Sequence, residues 1–478
     1  MNMNDIDKVD VAIIGAGASG LMAAVAASAP ASASGLMAAV AASAPAASNG
    51  AGASSSVSAT AANAAIGANA TTNANTAIGA NAAADATVVL IERNDRPGRK
   101  LSITGKGRCN ITNGAEKEQF MRNIPGNGKF LFSAFSKMSN LDIVAFFERL
   151  GVGVALERGG RYFTKSGSAR DVTDALANKA VNQGVRIICN ERVSSIRHTD
   201  LDALRDYRYK IALKNNRAVL SKSVIIATGG LAYPSTGSTG DGYKFAESFG
   251  HTIIPPRPSL VPLETVESWP CELSGLTLKN VTLKIYSPGG GIKLFSKLGE
   301  MLFTHFGISG PLVLSASRAL LDRGFAGSSA RIDLKPGLSD EMLRARIERD
   351  FELYGKKRMR NAMVDLLPKR LIPVLLNSAG IDPECRADTI GKAGIARLSE
   401  AMKGLALTIS AARPASEAII TAGGVKTSEI NPATMESKLS PGLFFCGEVI
   451  DVDAYTGGYN LSIAFATGHV AGKSAIRA

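Results

Sequence analysis

A short apolar run, Val9-Asp10-Val11-Ala12-Ile13-Ile14, leads directly into Gly15-Ala16-Gly17-Ala18-Ser19-Gly20 and then into Leu21-Met22-Ala23-Ala24-Val25-Ala26-Ala27. The first stretch reads as a buried strand and the last as a helix. A GxGxxG placed between a strand and a helix is the context in which this motif binds a dinucleotide. Gly15 permits the tight turn and Gly17 lets the backbone approach a pyrophosphate. Gly20 lets the helix pack on the strand, while the helix N-terminus favours the phosphate charge. Ala18 and Ser19 fall inside the same loop.

Part of this stretch occurs twice. ASGLMAAVAASAPA occupies residues 18–31 and returns unchanged at 33–46. The second copy lacks both the preceding strand and the GxG, so phosphate binding is assigned to the first. The motif also requires an acidic residue at the end of the next strand, about 20 residues on. Here TVVLIE ends at Glu92, after a Gly-, Ser-, Asn- and Ala-rich tract over 31–84. Removing that tract restores ordinary βαβ spacing. Having little to bury, it is expected to be an exposed, disordered insertion. A carboxylate at Glu92 suits the adenosine ribose hydroxyls and repels a 2′-phosphate.

The 478 residues suffice for two or three domains, and 45% hydrophobic with 20% charged residues is a globular composition. No charge appears between Asp10 and Asp85, yet the stretch is too weakly apolar for a membrane span. The N-terminus has no basic segment before an apolar one, so a cytoplasmic protein is expected, with no membrane partner. The five cysteines, Cys109, Cys189, Cys271, Cys385 and Cys446, form no CxxC. This argues against a disulfide framework, a zinc site and a thiol–disulfide reductase, and no metal is expected. The net charge of +13 suits anionic small molecules, and without an accompanying recognition motif it does not favour nucleic acid.

Further candidate sites follow along the chain. In PGRKLSITGKGRCN, Arg99, Lys100, Lys106 and Arg108 alternate with glycines, as suits a loop around an anionic cofactor. KSVIIATGG is a second strand-to-glycine turn at Ala227-Thr228-Gly229-Gly230, and Gly240 and Gly242 precede an amphipathic helix. Near the C-terminus, FFCG reads as a buried strand ending at Gly447. Thr456-Gly457-Gly458-Tyr459-Asn460 then opens a helix whose N-terminus would stabilise negative charge on a bound group.

The phrases PGRKLSITGKGRCNITN, GRYFTKSGSARDV, ATGGLAYPSTGSTGDGYKFAESFGH and LFFCGEVIDVDAYTGGYNLSIAFATGHVAG, in this order, resemble the BaiN-type bacterial flavoproteins. That family comprises FAD-dependent oxidoreductases, some described as aminoacetone-oxidase-like or NAD(P)/FAD-dependent. The resemblance spans nearly all of the chain outside 31–84. It implies FAD as cofactor and puts Asp451 against a ribityl hydroxyl. It also extends the cofactor set to Arg93, Gly107, Cys109, Asn110, Val193, Glu448 and Leu461. Where family members more often read GGGRCN, this chain has Lys106.

Between the two flavin segments, residues 255–338 alternate apolar runs with glycine turns, as in an antiparallel β domain. Residues 339–414 read as a small helical subdomain broken at Pro368 and Pro373. The expected class is α/β: a Rossmann-like FAD-binding domain of two segments, 1–254 and 415–478, with these two insertions between them. The crevice is the natural substrate site. The function expected is hydride exchange between flavin N5 and a small-molecule substrate, with NAD(P)H, as a transient reductant, or O2 as the other redox partner. Acid/base candidates are His305, Tyr233 and Arg161. Two other classes are open: an RNA-modifying flavoprotein using a basic surface, and a non-catalytic flavin-binding interaction protein. Substrate and oligomeric state are not legible.

Overall fold

The computed structural model describes residues 6–29, 86–199 and 206–478. The repeat's second copy and the low-complexity tract lie outside the described residues. Met1–Ser28 and Thr87–Ala478 form one compact unit.

The opening apolar run is a strand, Ile6–Ile14, at the centre of a seven-stranded sheet. It pairs in parallel with Val88–Ile91 on one side and Ala218–Ile226 on the other. Val11, Ala12 and Ile13 are fully buried there, because a strand covered on both faces has no polar side. Arg186–Ile188 extends one edge, and Leu443–Phe445 adds in parallel to Ala218–Ile226. The other flank is antiparallel, Tyr209–Leu213 then Val193–His198. The sheet thus takes in a strand from the far end of the chain.

The helix Ala18–Ala27 follows the glycine turn and lies along the final helix, Tyr459–Ala475. Their contact needs missing side chains. A Cβ at Gly468 would lie 2.3 Å from the Ser19 carbonyl oxygen, and one at Gly472 would lie 2.3 Å from that of Ala23. His469 sits beside these glycines. Burial, and secondarily the nearby Lys473 charge, pulls its pKa down to about 4. Above about pH 6.5, the ordinary histidine value, the ring is neutral whether the chain is folded or not. As pH falls from about 6.5 to about 4, the unfolded chain takes up a proton that the folded one refuses, so stability is lost, by on the order of 3 kcal/mol at most. His469→Gln is expected to flatten denaturation midpoints across that window. An unchanged pH profile would show that the imidazole is not titrating there.

Six antiparallel strands make a closed barrel, in the order Leu263–Thr265, Gly307–Ser309, Lys293–Thr304, Thr277–Tyr286, Ser328–Asp333, Leu405–Ala412. Two features depart from the sequence-based outline. The helix Pro311–Leu320 lies within the stretch read as β, burying Leu312, Val313, Ala316 and Leu320. Leu405–Ala412 falls in the stretch read as helical but is the closing strand, burying Leu405, Leu407 and Ile409 at the two-residue period of a strand. The helices between, including Asp340–Tyr354 and Gly391–Lys403, share the barrel's apolar core, which is separate from that of the large sheet. Two antiparallel strands, Ile253–Ser259 and Ile420–Val425, carry the chain into and out of this part. Among the described residues no single helix is long and apolar enough to cross a membrane.

Candidate functional site: a cavity between the glycine loop and the barrel

The glycine loop is held by its own backbone. Gly15 N–H donates to the Ile91 carbonyl at 2.8 Å, and Ala227 N–H donates to that of Ile14 at 2.9 Å. Gly15 has φ +98, and a Cβ on it would lie 2.7 Å from the Ala227 carbonyl oxygen. A Cβ at Gly20 would fall 1.8 Å from the Gly15 oxygen, whereas one at Gly17 would meet nothing within 4 Å. Gly15 and Gly20 are thus required by the fold, and Gly17 faces open space.

That space belongs to a cavity of about 1060 Å³. Of the residues singled out from the sequence, its lining includes Gly15, Gly17, Ala18, Ser19, Glu92, Arg93, Arg99, Lys100, Arg108, Asn110, Val193, Ala227, Thr228, Gly229, Glu448, Gly458, Asn460 and Leu461. Tyr233, Arg161 and Lys106 line it as well. Gly20, Gly107, Cys109, Gly447 and Asp451 do not. Asp451 instead accepts from the Asn127 amide through its carbonyl at 2.7 Å and its carboxylate at 2.8 Å, and burial pushes its pKa up. Cys109 is fully buried, and its thiol is pushed up to about 12. His305, an acid/base candidate, is exposed on a strand-to-strand turn with its ring edge-on to Phe306, away from the cavity. A tight turn between paired strands points outward, so that candidacy loses its geometric basis.

Glu92 is buried at the end of its strand. One carboxylate oxygen accepts from Ala16 N–H at 2.8 Å, and the other accepts from the Asn94 backbone and side chain at 2.9 and 2.6 Å. The acidic residue therefore fixes the loop while lining the cavity. Most cations meant for an anionic ligand have partners already. Lys100 meets Glu448 at 2.7 Å, Arg93 and Arg192 share Asp241, and Arg108 pairs with Glu157 while stacking 4.3 Å from the Phe163 ring. Glu448 also accepts from Thr421 N–H at 2.9 Å. Arg161 donates to the Arg158 carbonyl at 3.0 Å. Tyr233 adopts φ +56, and desolvation raises its hydroxyl pKa.

At the far end, Gly458 has φ +102 as the residue before the final helix, and a Cβ there would come 2.5 Å from the Thr112 carbonyl. Asn460 holds this loop through Ala454, accepting at 3.0 Å and donating at 2.9 Å. The barrel adds Phe295 and Lys297 to the lining and the helix Pro311–Leu320 adds Ser315, while Tyr455 comes from the loop before the final helix; the motif-based reading singled out none of the four. One signal was available. Lys297 shares its strand parity with Phe295, Met301 and Phe303, all buried, so a cation stands on the apolar face.

Two observations test whether FAD suits this cavity. Thr228 Oγ1 and Asn110 Oδ1 are buried without hydrogen-bond partners, and both residues line it. Buried polar atoms left unpaired are costly and call for a ligand or water. Gly17 leaves an open cradle at a helix N-terminus, as a pyrophosphate needs. The residues fit.

A family model described as "HI0933-like protein Rossmann domain" matches residues 63–474. The chain belongs to this family. Among curated relatives, a 3-dehydro-bile acid delta(4,6)-reductase of Clostridium scindens is 31% identical over 82% of this chain and 93% of its own. A ribosomal RNA dihydrouridine synthase of Haemophilus influenzae is 30% identical over 82% and 93%. One of the same description from Escherichia coli is 29% identical over 83% and 93%. The HI0933-like family is the one that the BaiN-type phrases resemble. FAD is its cofactor, and this member is an FAD-dependent oxidoreductase.

Proposed function

We propose that this HI0933-like protein reduces a carbon–carbon double bond conjugated to a carbonyl in a small organic substrate, with NAD(P)H renewing the reduced flavin. The observation that carries this reading is the single cavity shared by the glycine loop and the barrel wall, which leaves a substrate compartment beside the cofactor cradle. The printed activities of the relatives support the direction, since each adds hydrogen across a double bond.

When bound, FAD supplies hydride chemistry at N5. Gly15, Gly17 and the N-terminus of Ala18–Ala27 would hold its pyrophosphate, and Glu92 its ribose. Thr228 and Asn110 would donate or accept along its length. Glu448 lines the cavity where Asp451 does not, which makes it the better carboxylate for the ribityl chain. The loop Tyr455–Gly458 would face the ring, with helix-terminal backbone N–H groups favouring negative charge on it. In this division residues 1–254 and 415–478 bind the cofactor, and 255–414 exclude water and orient the substrate.

The deciding measurement is the visible spectrum of purified protein, followed anaerobically by NADH, then NADPH, then air. Bleaching by a nicotinamide that a cyclic enone reverses is the expected result. Flavin that no nicotinamide reduces but an amine or alcohol does would replace this reading with an oxidase.

A second reading has its own support. Two relatives carry ribosomal RNA in their descriptions, and this chain has a net charge of +13, with Lys106 and Arg161 lining the cavity and, among the described residues, no carboxylate in ion-pair distance of either. Here the reduced double bond would belong to a base in RNA. Salt-sensitive RNA binding with a steep logarithmic slope would favour it, and binding that salt leaves unchanged would dismiss it.

A further inference from the structure

On the glycine-loop side Arg93, Lys100 and Arg108 are matched by carboxylates, whereas the barrel side presents Lys297, which is not. Lys297 Nζ donates to the Asn123 side-chain carbonyl at 2.7 Å, and among the described residues no carboxylate lies within ion-pair distance of it. Its ammonium lies 4.3 Å from the centroid of the Tyr455 ring and 6.0 Å from that of Phe295. The residue is exposed to the open cavity, while the packing around its charged end desolvates it and lowers its pKa. The contact with Tyr455 is the telling one. Tyr455 begins the loop that ends at Gly458, directly before the final helix, and Tyr455 N–H is itself held by the Asn123 carbonyl at 3.0 Å. An unneutralised cation is therefore fixed beside the loop that the proposed function sets against the flavin ring.

We propose that Lys297 binds the carbonyl oxygen of the substrate and stabilises the negative charge that this oxygen gains during reduction. The inference rests on the reaction proposed above. Hydride adds to the double-bond carbon remote from the carbonyl. The pair that formed that double bond moves next to the carbonyl carbon, and the carbonyl pair comes to rest on oxygen as an enolate. Lys297 Nζ–H donates to this oxygen. A proton from solvent then adds to the carbon adjacent to the carbonyl and restores the C=O. The substrate gains one hydride and one proton; bound FAD in its reduced form, renewed by NAD(P)H, would supply the two electrons. A preorganised donor aimed at developing charge contributes about 10²–10³-fold to such a step. Asn123 and Tyr455 position the lysine. Neither carries a formal charge that would neutralise it, so the full positive charge faces the substrate.

The test uses FAD-loaded protein and 4-chlorophenol, whose phenolate mimics a planar enolate. Binding is read from the long-wavelength charge-transfer band with flavin at fixed pH, and turnover is read with 2-cyclohexenone. Lys297→Met is expected to keep its flavin spectrum. It should lose at least tenfold in phenolate affinity and about 100-fold in enone turnover, with Lys297→Arg recovering part of both. A Lys297→Met protein that binds phenolate as tightly as the parent overturns the proposal, as does a parent that binds none. Enone turnover that Lys297→Met matches removes the lysine's role and leaves the proposed reaction standing. Lysine-dependent phenolate binding by a parent that reduces no enone overturns the proposal through its reaction, not through the residue.

Discussion

Gly20→Val is expected to abolish a stable flavoprotein. The new Cβ would fall 1.8 Å from the Gly15 carbonyl oxygen and 3.3 Å from the Ala227 side chain, both fixed by the central sheet. Neither is the movable tip of a long side chain, so the helix Ala18–Ala27 must pull away from the turn. Overpacking a rigid core costs about 1–3 kcal/mol and sometimes more, and here the displaced helix also carries the proposed phosphate cradle. Purified protein should be colourless, with a denaturant midpoint well below that of the parent. The contrast is Gly17→Ala. Its backbone is extended, with φ −78, and a Cβ meets nothing within 4 Å. Unfolding without FAD should therefore change by less than about 0.5 kcal/mol. FAD affinity should fall at least tenfold, about 1.4 kcal/mol, because the methyl occupies the ligand's place. If both variants lost stability equally, the division between a fold glycine and a ligand glycine would be wrong.

Arg318→Met should be strongly destabilising for a different reason. Arg318, on the helix Pro311–Leu320, meets Asp453 through Nε and, at 3.2 Å, through Nη2. The two side chains are only 11% and 3% exposed. Asp453 also accepts weakly from Ser259 at 3.3 Å, and its backbone pairs with Gly126. Removing the guanidinium leaves a buried carboxylate with one long hydrogen bond, a change that costs about 3–5 kcal/mol. The pair sits two residues from Tyr455, so flavin retention should weaken with it. Arg318→Met combined with Asp453→Leu should recover much of the loss, since an apolar pair is often as stable as a buried ionic one. A double variant as unstable as the single one would mean that the arginine acts through packing alone.

The local sequence was sufficient for the cofactor half. Each inference there used residues close together in the chain: an apolar run, a turn that only glycine can make, helix formers, a carboxylate at a strand end. The dinucleotide motif survives the 31–84 tract because its physical requirements are met on either side. Glu92 reaches Ala16 across 76 positions of chain. The charged loop around Arg99–Arg108 was legible as cationic, but not that Glu448 and Glu157 would neutralise its Lys100 and Arg108.

The barrel half was less legible, because its site residues are assembled by pairing between distant strands. LALTISAA has a strand's period, but following a long helical stretch it reads as that stretch's tail. Only its register with Ser328–Asp333, Ile409 opposite Ser328, makes it the barrel's closing strand. His305 looked chemically eligible and was placed outward by a turn. Lys297 was not singled out from the sequence, and only the fold sets it against Tyr455. By itself the sequence determined the dinucleotide loop, the parallel strands beside it and the class of cofactor, since strand, turn and helix preferences are local. Which carboxylates quench which cations, and which cation is left free beside the reacting end, was decided by the tertiary structure. Ion pairing depends on distances of a few ångströms, and the fold alone sets those between residues remote in the chain.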